Sequence, residues 1–335
     1  MKIAFVTFYY GGVNRGAETF VSELSQRLKK NNEVHIIQGN SPSVPRWPFL
    51  WRLFLDPQGI SILKFTLSKI KEIWKEKYEV VIPMDGGWEA LLIRIITILY
   101  GGKVVISGQS GKGWFDRINI LTFPDFFVSL STWTLNQMKW MNPFIKYTYI
   151  PNGVDLNKFH KTNKQNSKVV LSVGAFTKQK RHSLVIEAVS RLEDAHLMIV
   201  GGGGELRDDL VKLGKEKLGE RFTLFEVPFK EMPNIYKKAN VFTLASTPTE
   251  AFGNVIVEAM ATNLPVVVND DPIRREIVES AGEFVDPIKI DQYAHTLERV
   301  LNKDWGDIPR KQAEKFSWDD IALKYENLFL SIIKK

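Results

Sequence analysis

The chain has 335 residues, of which 44% are hydrophobic and 25% are charged, and its net charge is +7. This length suits two domains, and the composition is typical of a globular protein, which excludes a disordered, collagen-like or low-complexity chain. Because cysteine is absent, a disulfide framework, a zinc–cysteine site and a cysteine nucleophile are also excluded.

The first half of the chain alternates short apolar runs with segments of helix length. A continuous apolar run is typical of a strand that is buried on both faces of a parallel sheet. Predicted strands cover residues 3–8, 34–37, 80–83, 104–106, 126–130 and 147–150. Since helical spacing of apolar residues follows the first strand, this half predicts a parallel α/β domain.

A loop with glycines follows the first predicted strand. Residues 9–18 read YYGGVNRGAE and lead into a helix whose N-terminal N–H groups could face an anion. Gly12 and Gly16 would permit a close approach of the backbone. The loop matches neither the dinucleotide-binding pattern nor the Walker pattern, so a plain strand–helix turn explains it equally well.

An aromatic and basic segment before the third predicted strand suggests contact with an anionic membrane surface. Residues 45–55 read PRWPFLWRLFL, in which tryptophans stand beside Arg46 and Arg52. The predicted helix at 59–77 carries four apolar residues on one face: Leu63, Leu67, Ile70 and Trp74. This combination is typical of an interfacial anchor, and the alternative is a core helix preceded by an aromatic loop.

The strand–helix pattern restarts after a polar stretch at residues 158–167. Predicted strands cover residues 169–173, 197–200, 222–225, 241–245 and 266–268, and an amphipathic helix at 318–333 ends the chain. We therefore predict an α/β fold with two Rossmann-like domains that face each other across a cleft. The domains are expected at residues 1–153 and 154–315, with the C-terminal helix, 316–335, packing back toward the first domain.

Cations follow the first strand of the second predicted domain. Residues 175–182 read AFTKQKRH and contain Lys178, Lys180 and Arg181. Ligands of parallel sheets bind beyond the carboxyl ends of the strands, where a departing diphosphate needs positive charge. The alternative is a solvated basic turn. For the glycine run at 199–205, IVGGGGE, a flexible turn is favoured over a phosphate cradle.

The most informative segment is residues 244–269, LASTPTEAFGNVIVEAMATNLPVVVN. A helix is predicted to begin near residue 253, so Glu250 precedes a helix N-terminus that suits a phosphate or a sugar hydroxyl. Three backbone amides face the same space: Phe252, Gly253 and Asn254. Glu258 lies among apolar residues and needs a partner if it is buried, a need that a ribose diol would meet.

The sequence predicts neither a membrane-spanning helix nor a signal peptide, so we expect a cytoplasmic protein that could lie on the inner face of the membrane. Residues 90–100 are about half the roughly 20 residues that a bilayer needs, and they contain Arg94. Residues 3–10 are too short for a secretory signal and lack a cleavage site.

Most of the net charge lies in the first half of the chain. Residues 1–155 carry 18 Lys and Arg against 12 Asp and Glu, whereas the remaining residues carry 27 against 26. This asymmetry suits an anionic partner of the first half, such as a phosphorylated acceptor, an anionic membrane surface or nucleic acid. Scattered solvated lysines explain it equally well.

Taken together, these segments resemble the retaining glycosyltransferases of family 4, which have the two-Rossmann GT-B fold. Glu250 and Glu258, with seven residues between them, are similar to the signature of that family. Residues 150–155, IPNGVD, resemble its interdomain linker, and VGAFTKQKR resembles its donor-phosphate loop. RGAE at 15–18 resembles its N-terminal glycine loop, and FSWDDIA from residue 316 resembles its C-terminal helix.

The resemblance implies a role for each matching residue. Glu250 would contact the hydroxyls of the donor sugar, and Glu258 would hold the ribose of the nucleotide. Lys180 and Arg181 would neutralise the diphosphate. The remaining donor contacts would come from glycines and backbone groups: Gly12, Gly16, Val227, Phe252, Gly253 and Asn254.

The implied reaction moves a sugar from a nucleotide diphosphate to the hydroxyl of a glycan, a glycolipid or a lipid-linked acceptor, with retention at the anomeric carbon. The leaving phosphate would take the proton of the acceptor, and no metal ion, separate cofactor or nucleic acid is expected. The first domain would bind the acceptor, with Asp85, Trp88 and Gln109 as candidates. For Trp88, a core residue that caps the following helix is slightly favoured over this role.

Two departures from the family pattern keep other functions open. Ala175 stands where the family usually has Arg, and residues 107–110, SGQS, lack the usual His. A nucleotide-sugar 2-epimerase shares the fold, although it needs carboxylates and histidines near the cleft and this chain has five histidines without paired spacing. A non-catalytic protein that binds a nucleotide sugar is the third possibility.

Overall fold

The computed structural model describes residues 1–11, 16–39, 41–42, 44–110, 113–160 and 168–334. The chain divides into two compact units. The first unit comprises Met1–Asn152 together with Trp318–Lys335, and the second unit comprises Gly153–Ser317. The described residues of each unit form a six-stranded sheet with helices packed on it, which confirms the α/β class and the two Rossmann-like folds.

The sheet of the first unit is parallel and has the strand order β2-β1-β3-β4-β5-β6. The strands are β1 (Lys2–Thr7), β2 (Glu33–Gln38), β3 (Val80–Pro83), β4 (Lys103–Ser107), β5 (Phe126–Ser129) and β6 (Lys146–Tyr149). The helices are α1 (Gly16–Leu28), α2 (Pro57–Glu76), α3 (Trp88–Tyr100), α4 (Trp114–Asn119), α5 (Thr132–Met141) and α13 (Trp318–Ile333). The sequence predicted all six of these strands to within one residue at each end.

The sheet of the second unit is also parallel, with the order β12-β11-β10-β7-β8-β9. The strands are β7 (Val169–Val173), β8 (His196–Gly201), β9 (Phe222–Glu226), β10 (Val241–Leu244), β11 (Val266–Asn269) and β12 (Gly282–Val285). The helices are α6 (His182–Val189), α7 (Arg207–Leu218), α8 (Met232–Tyr236), α9 (Asn254–Ala261), α10 (Pro272–Val278), α11 (Ile290–Asn302) and α12 (Ile308–Glu314).

The sequence prediction omitted one strand, β12. This strand lies at the edge of its sheet and reads GEFV, so it lacks the continuous apolar run that marks the strands inside the sheet. Only Val285 of the four residues is buried. With three of its four residues only half-buried, β12 carries little of the apolar signal on which the strand prediction depends.

The C-terminal helix α13 is part of the first unit. It packs against α1, where the ring of Phe20 lies 6.1 Å from Trp318 and 5.6 Å from Tyr325. The hydroxyl of Tyr325 also hydrogen-bonds the hydroxyl of Ser107 at the end of β4, with 3.0 Å between the oxygens. These buried contacts fix the last helix of the chain on the sheet that the first residues begin.

Helix α2 buries a different face from the one that its apolar pattern suggested. Asp56 caps its N-terminus by accepting a hydrogen bond from the amide of Gly59 at 2.9 Å. Three of its buried residues are Ile62, Thr66 and Ile73. Of the predicted apolar face, Leu63 and Ile70 are half-buried, whereas Leu67 and Trp74 are 50% and 44% exposed. The helix therefore packs on the sheet and still leaves apolar side chains in contact with solvent.

No helix among the described residues is both long enough and apolar enough to cross a bilayer.

Candidate functional site

Two neighbouring strands of the second unit carry the predicted donor-site residues. β7 and β10 pair in parallel, so their carboxyl ends lie at the same edge of the sheet. Residues 174–181 connect β7 to α6, and residues 245–253 connect β10 to α9. The two loops are joined by a hydrogen bond from the amide of Thr247 to the carbonyl of Gln179 at 2.9 Å. The side chains of Gln179 and Thr249 form a second bond at 3.2 Å.

An ion pair between Lys180 and Glu250 lies where these loops meet. The lysine Nζ is 2.6 Å from the glutamate Oε2, and the two side chains are only 19% and 18% exposed. A charge-assisted hydrogen bond of this length is among the stronger polar contacts in a protein. The structure therefore brings together two residues that are 70 positions apart and that the sequence analysis assigned to the same ligand.

Arg274, which the sequence analysis missed, holds the Glu250 loop from the other side. Its side chain is 1% exposed, and its guanidinium donates to the carbonyl of Glu250 at 3.1 Å and to the hydroxyl of Ser246 at 3.3 Å. Asp271 lies 3.4 Å from the same guanidinium and caps α10. The sequence offers no signal for this role, because the adjacent Arg275 is of the same type and is exposed.

Glu258 has the buried partner that its apolar surroundings require. It lies on α9 and is 6% exposed. The hydroxyl of Tyr236, on α8, donates a hydrogen bond to Oε2 of Glu258 at 2.7 Å. Burial, together with the neighbouring carboxylate, raises the pKa of Tyr236 well above its usual value, so this donor keeps its proton. The sequence predicted the need for a partner but did not identify Tyr236.

The N-terminus of α9 begins at a left-handed glycine. Gly253 has a φ of +90°, a conformation that favours glycine, and it is the N-cap of the helix. The side chain of Phe252 is 2% exposed and packs on Phe316, with 5.8 Å between ring centroids. The ring of Phe252 is therefore not available to a ligand, and the contact predicted for its backbone amide stays a prediction. Asn254 is the first residue of the helix.

His182 anchors the basic loop at 174–181 through a hydrogen bond to its first residue. The imidazole is 1% exposed; its Nε2 donates to the carbonyl of Gly174 at 3.3 Å, and its Nδ1 accepts from the hydroxyl of Ser172 at 3.1 Å. Burial lowers the pKa of His182 to about 4, which keeps the ring neutral at pH 7. Lys178 is exposed, and Arg181, with a φ of +50°, is half-buried.

The glycine run at 201–204 has a structural role beside this loop. A Cβ on Gly201 would lie 1.9 Å from the carbonyl oxygen of Gly174, so only glycine permits the approach. The amide of Phe176 donates to the carbonyl of Gly203 at 2.8 Å. The run is therefore a turn whose first glycine packs on the start of the basic loop, and its flexibility stays a prediction. Val227, the predicted neighbour of the base, follows the edge strand β9 and is half-buried.

In the first unit, Asp85 lies at the carboxyl end of β3 beside a second carboxyl group. Asp85 accepts a hydrogen bond from the amide of Phe8. Glu89 is fully buried, and its Oε1 accepts from the amides of Met84 at 2.8 Å and Asp85 at 3.0 Å. Burial, and then the charge of Asp85, raises the pKa of Glu89 well above its usual value. Glu89 is not among the residues predicted from the sequence.

The aromatic segment at 45–55 packs against the same strand-end loops. Trp88 is half-buried, and its indole N–H donates to the carbonyl of Phe54 at 2.9 Å. The ring of Trp51 stacks on Phe115, 6.0 Å away. Three apolar side chains of the segment remain 54%, 83% and 61% exposed: Trp47, Phe49 and Leu53.

The other predicted residues of the first unit have different surroundings. Gln109 and Asn152 exchange two amide hydrogen bonds, at 3.1 and 3.0 Å, so the amide of Gln109 already has a protein partner. Gly16 is the first residue of α1. Gly12 lies outside the described residues. Within the described ranges, no three His, Asp or Glu side chains gather as a metal site.

Comparison with known proteins identifies the family. The family described as glycosyl transferases group 1 matches residues 154–317. An Escherichia coli UDP-Gal:alpha-D-GlcNAc-diphosphoundecaprenol alpha-1,3-galactosyltransferase is 30% identical over 279 residues, which cover 72% of this chain and 71% of that protein. An uncharacterised glycosyltransferase of Methanocaldococcus jannaschii is 33% identical over 178 residues, which cover 49% of this chain and 45% of that one.

The fold of solved structures agrees with this match. A sucrose-phosphate synthase from Thermosynechococcus elongatus superimposes with a TM-score of 0.81 over 99% of both chains, at 18% identity. The chain therefore has the double Rossmann fold of the GT-B glycosyltransferases, and it belongs to the glycosyl transferases group 1. It spans about half the length of the first curated relatives that it matches. Membership of this family does not favour the nucleotide-sugar 2-epimerase alternative.

Proposed function

We propose that this protein is a retaining glycosyltransferase of family 4 that transfers a sugar from a nucleotide diphosphate sugar to an acceptor hydroxyl. The observation that carries the proposal is the Lys180–Glu250 pair, 2.6 Å apart at adjoining strand ends. In such a donor the sugar is bonded directly to the β-phosphate. The group that binds the sugar hydroxyls and the group that neutralises the phosphate must therefore be neighbours, and this pair meets that condition.

The charge that develops on the leaving diphosphate would be met by fixed groups of the second unit. Lys180, Arg181 and the amides at the start of α9 are suited to this task because they need little rearrangement as the charge forms. Ala175 stands where the family usually has an arginine, so one positive charge beside the diphosphate is missing. We expect the half-buried Arg181 to supply that charge. We expect neither a metal ion nor a separate cofactor.

Glu258 is proposed to accept hydrogen bonds from the ribose hydroxyls. Tyr236 donates to one of its oxygens and orients the carboxylate. A diol supplies two donors in a fixed geometry, which suits a buried acceptor better than water does. Val227 is proposed to contact the base through its backbone.

In the reaction, the bond between the anomeric carbon and the phosphate oxygen breaks while a bond to the acceptor oxygen forms on the same face of the sugar. The proton of the acceptor hydroxyl passes to the departing phosphate oxygen. No carboxylate nucleophile is invoked, since Lys180 engages Glu250 and Tyr236 engages Glu258. This differs from retaining glycoside hydrolases, in which a carboxylate attacks the anomeric carbon.

The acceptor is proposed to be a glycan or a lipid-linked sugar bound by the first unit. Asp85 and Trp88 lie at the end of β3, next to the exposed apolar side chains of the 45–55 segment. A polar strand end flanked by exposed tryptophan and phenylalanine suits a molecule with a sugar at one end and a lipid at the other. The name of the Escherichia coli relative includes a diphosphoundecaprenol acceptor, which supports this class. We also propose that this segment touches an anionic membrane surface.

The decisive variant is Glu250→Ala. We expect transfer to fall roughly 100-fold or more, because an interaction made with the reacting sugar is lost. Release of nucleoside diphosphate from a panel of nucleotide sugars measures the activity, and thermal unfolding checks that the variant folds. Glu279→Ala is the matched control, since Glu279 also pairs with a lysine, Lys315, at 2.9 Å but lies on the surface.

The same assay separates the remaining alternatives. Released nucleoside diphosphate supports transfer or slow hydrolysis, whereas binding of a nucleotide sugar without turnover identifies a non-catalytic protein. A folded Glu250→Ala variant with the activity of the wild type contradicts the role given to this residue.

A further inference from the structure

The first unit contains a cavity at the amino ends of its strands, whereas the predicted acceptor residues lie at the carboxyl ends. Its volume is about 320 Å³, which lies in the range of small-molecule sites. It opens at the amino ends of β4, β5 and β6, whereas Asp85 and Gln109 follow the carboxyl ends of β3 and β4. Six of the lining residues carry the argument: Arg94, Lys103, Phe123, Asp125, Phe144 and Lys146.

The cavity has an excess of positive charge. Three cations line it, and Asp125 is the one carboxylate among the lining residues. Asp125 lies 2.7 Å from Nη1 of Arg94 and 3.9 Å from Nζ of Lys103, and it also accepts from the amide of Val104 at 2.9 Å. The Nζ of Lys146 lies 5.8 Å from the centre of the Phe126 ring. Among the lining residues that the structure describes, three cations stand against a single carboxylate, so the site suits an anion.

The rim of the cavity is apolar and exposed. Phe123 is 52% exposed and Phe144 is 85% exposed. Hydrogen bonds fix the chain on either side of the lining residues 144–146: Asn142 donates to the carbonyl of Ile120 at 2.8 Å, and the hydroxyl of Tyr147 donates to the carbonyl of Met138 at 2.9 Å. Two exposed phenylalanine rings thus line the cavity together with the cations.

We propose that this cavity binds the phosphate of an anionic phospholipid headgroup. A soluble phosphate would be held by the cations alone and would leave the exposed rings of Phe123 and Phe144 in water. A lipid headgroup accounts for both features, because its phosphate meets the cations while the aromatic rings enter the boundary between headgroups and acyl chains. This inference does not depend on the proposed glycosyl transfer, since it rests on residues of the first unit that have no part in that reaction.

Sedimentation with vesicles tests the proposal. We expect the protein to bind vesicles that contain phosphatidylglycerol and to bind pure phosphatidylcholine vesicles much less. Lys146→Gln should weaken binding about fivefold, the effect of one cation near an anionic surface, and Phe144→Ser should weaken it further. Lys303→Gln is the matched control, because Lys303 also lies over an aromatic ring, 4.0 Å from the centre of Trp305, but belongs to the second unit.

Three results would overturn the proposal. The first is equal binding of the wild type to neutral and anionic vesicles, and the second is unchanged binding of both cavity variants. The third is stabilisation of the wild type, but not of Lys146→Gln, by inorganic phosphate without any sedimentation, which would assign the cavity to a soluble phosphate. The side chains of Lys146 and Phe144 are exposed, so both substitutions carry little risk to folding.

Two further measurements keep the sites separate. Glu250→Ala should bind vesicles as the wild type does, and Lys146→Gln should release nucleoside diphosphate at the normal rate. A double Trp47→Ser, Trp51→Ser variant reports on the aromatic segment. If only this variant loses vesicle binding, the membrane contact belongs to that segment and the cavity proposal is wrong.

Discussion

At the scale of single residues, the candidate donor site depends on buried side chains that hold the backbone of its two loops. Lys180 and Glu250 face each other across two loops, but neither loop is rigid by its own sequence. His182 anchors one loop through the carbonyl of Gly174, and Arg274 anchors the other through the carbonyl of Glu250. Because both anchors are about 1% exposed, they fix the geometry of the site without being accessible to a ligand.

His182 makes the stability of the protein dependent on pH. Its pKa is about 4 in the folded protein and about 6.5 in the unfolded chain, so the unfolded state binds more protons between these values. The free energy of unfolding should therefore rise by up to about 3 kcal/mol between pH 4 and pH 6.5. Above pH 6.5 His182 should cause no further change, because its imidazole is then neutral in both states. Urea unfolding across this range measures the slope.

The control for this prediction is a second histidine. His182→Gln should remove that part of the slope, whereas His295→Gln should keep it, because the side chain of His295 is 78% exposed. An identical slope in the wild type and in His182→Gln would mean that the imidazole is not buried as a neutral ring.

The sequence pointed to Lys180 and Glu250, which the structure places in one ion pair, but it did not reveal the residues that support them. Lys180 and Glu250 could be predicted because each follows an apolar run whose end is visible in the sequence. The carboxyl ends of neighbouring parallel strands lie together, so the two loops were expected to meet. Arg274, Tyr236 and His182 were missed because their roles come from burial. Burial of a polar residue depends on which helices pack on it, and a local pattern of residues carries no such information.

At the scale of elements, periodicity predicted where strands and helices lie but not which helix face is buried. In α2 the residues at helical spacing that looked like a single apolar face are partly exposed, and the sheet contacts a neighbouring face. Helix α13 shows the opposite case, since its predicted apolar side, including Ile321 and Tyr325, is buried. The difference arises because α13 packs on both a helix and the sheet, and these contacts determine which of its faces is buried.

The packing of α13 can be tested within the helix itself. Phe329 is completely buried against Tyr325, with 5.9 Å between ring centroids, whereas the adjacent Leu330 is 37% exposed. Phe329→Ala should lower the free energy of unfolding of the first unit by about 3–5 kcal/mol, since it removes a buried aromatic ring and leaves a cavity. Leu330→Ala should change it by roughly 0.5 kcal/mol or less.

Denaturant titration of both variants measures the difference. Equal effects of the two substitutions would show that α13 is not packed on the first unit through this face. Since the helix follows the second unit in the chain, the result also tests whether the first unit needs residues from both ends of the chain.

At the scale of the whole molecule, charge and exposed apolar surface are divided unequally between the two units. Most of the net positive charge lies in residues 1–155, and most of the large apolar side chains that are exposed belong to the first unit. The second unit is nearly neutral and carries the buried polar network around Glu250 and Glu258. This division fits the proposal that the first unit binds an anionic or lipid-bearing partner and that the second binds a small polar ligand.

The division predicts where a donor nucleotide acts. A nucleoside diphosphate such as UDP or GDP should raise the melting temperature, because a ligand that binds only the folded protein stabilises it. Hydrogen exchange should slow at residues 174–181 and 245–258 of the second unit, where the loops that carry Lys180 and Glu250 lie next to each other. Lys180→Ala should weaken both effects, whereas Lys178→Ala, which changes an exposed residue of the same loop, should leave them nearly unchanged. Protection that appears only in the first unit would contradict the assignment of the donor site. It would mean that the diphosphate binds to the positive charge of the first unit and not to Lys180 and the amides of the second.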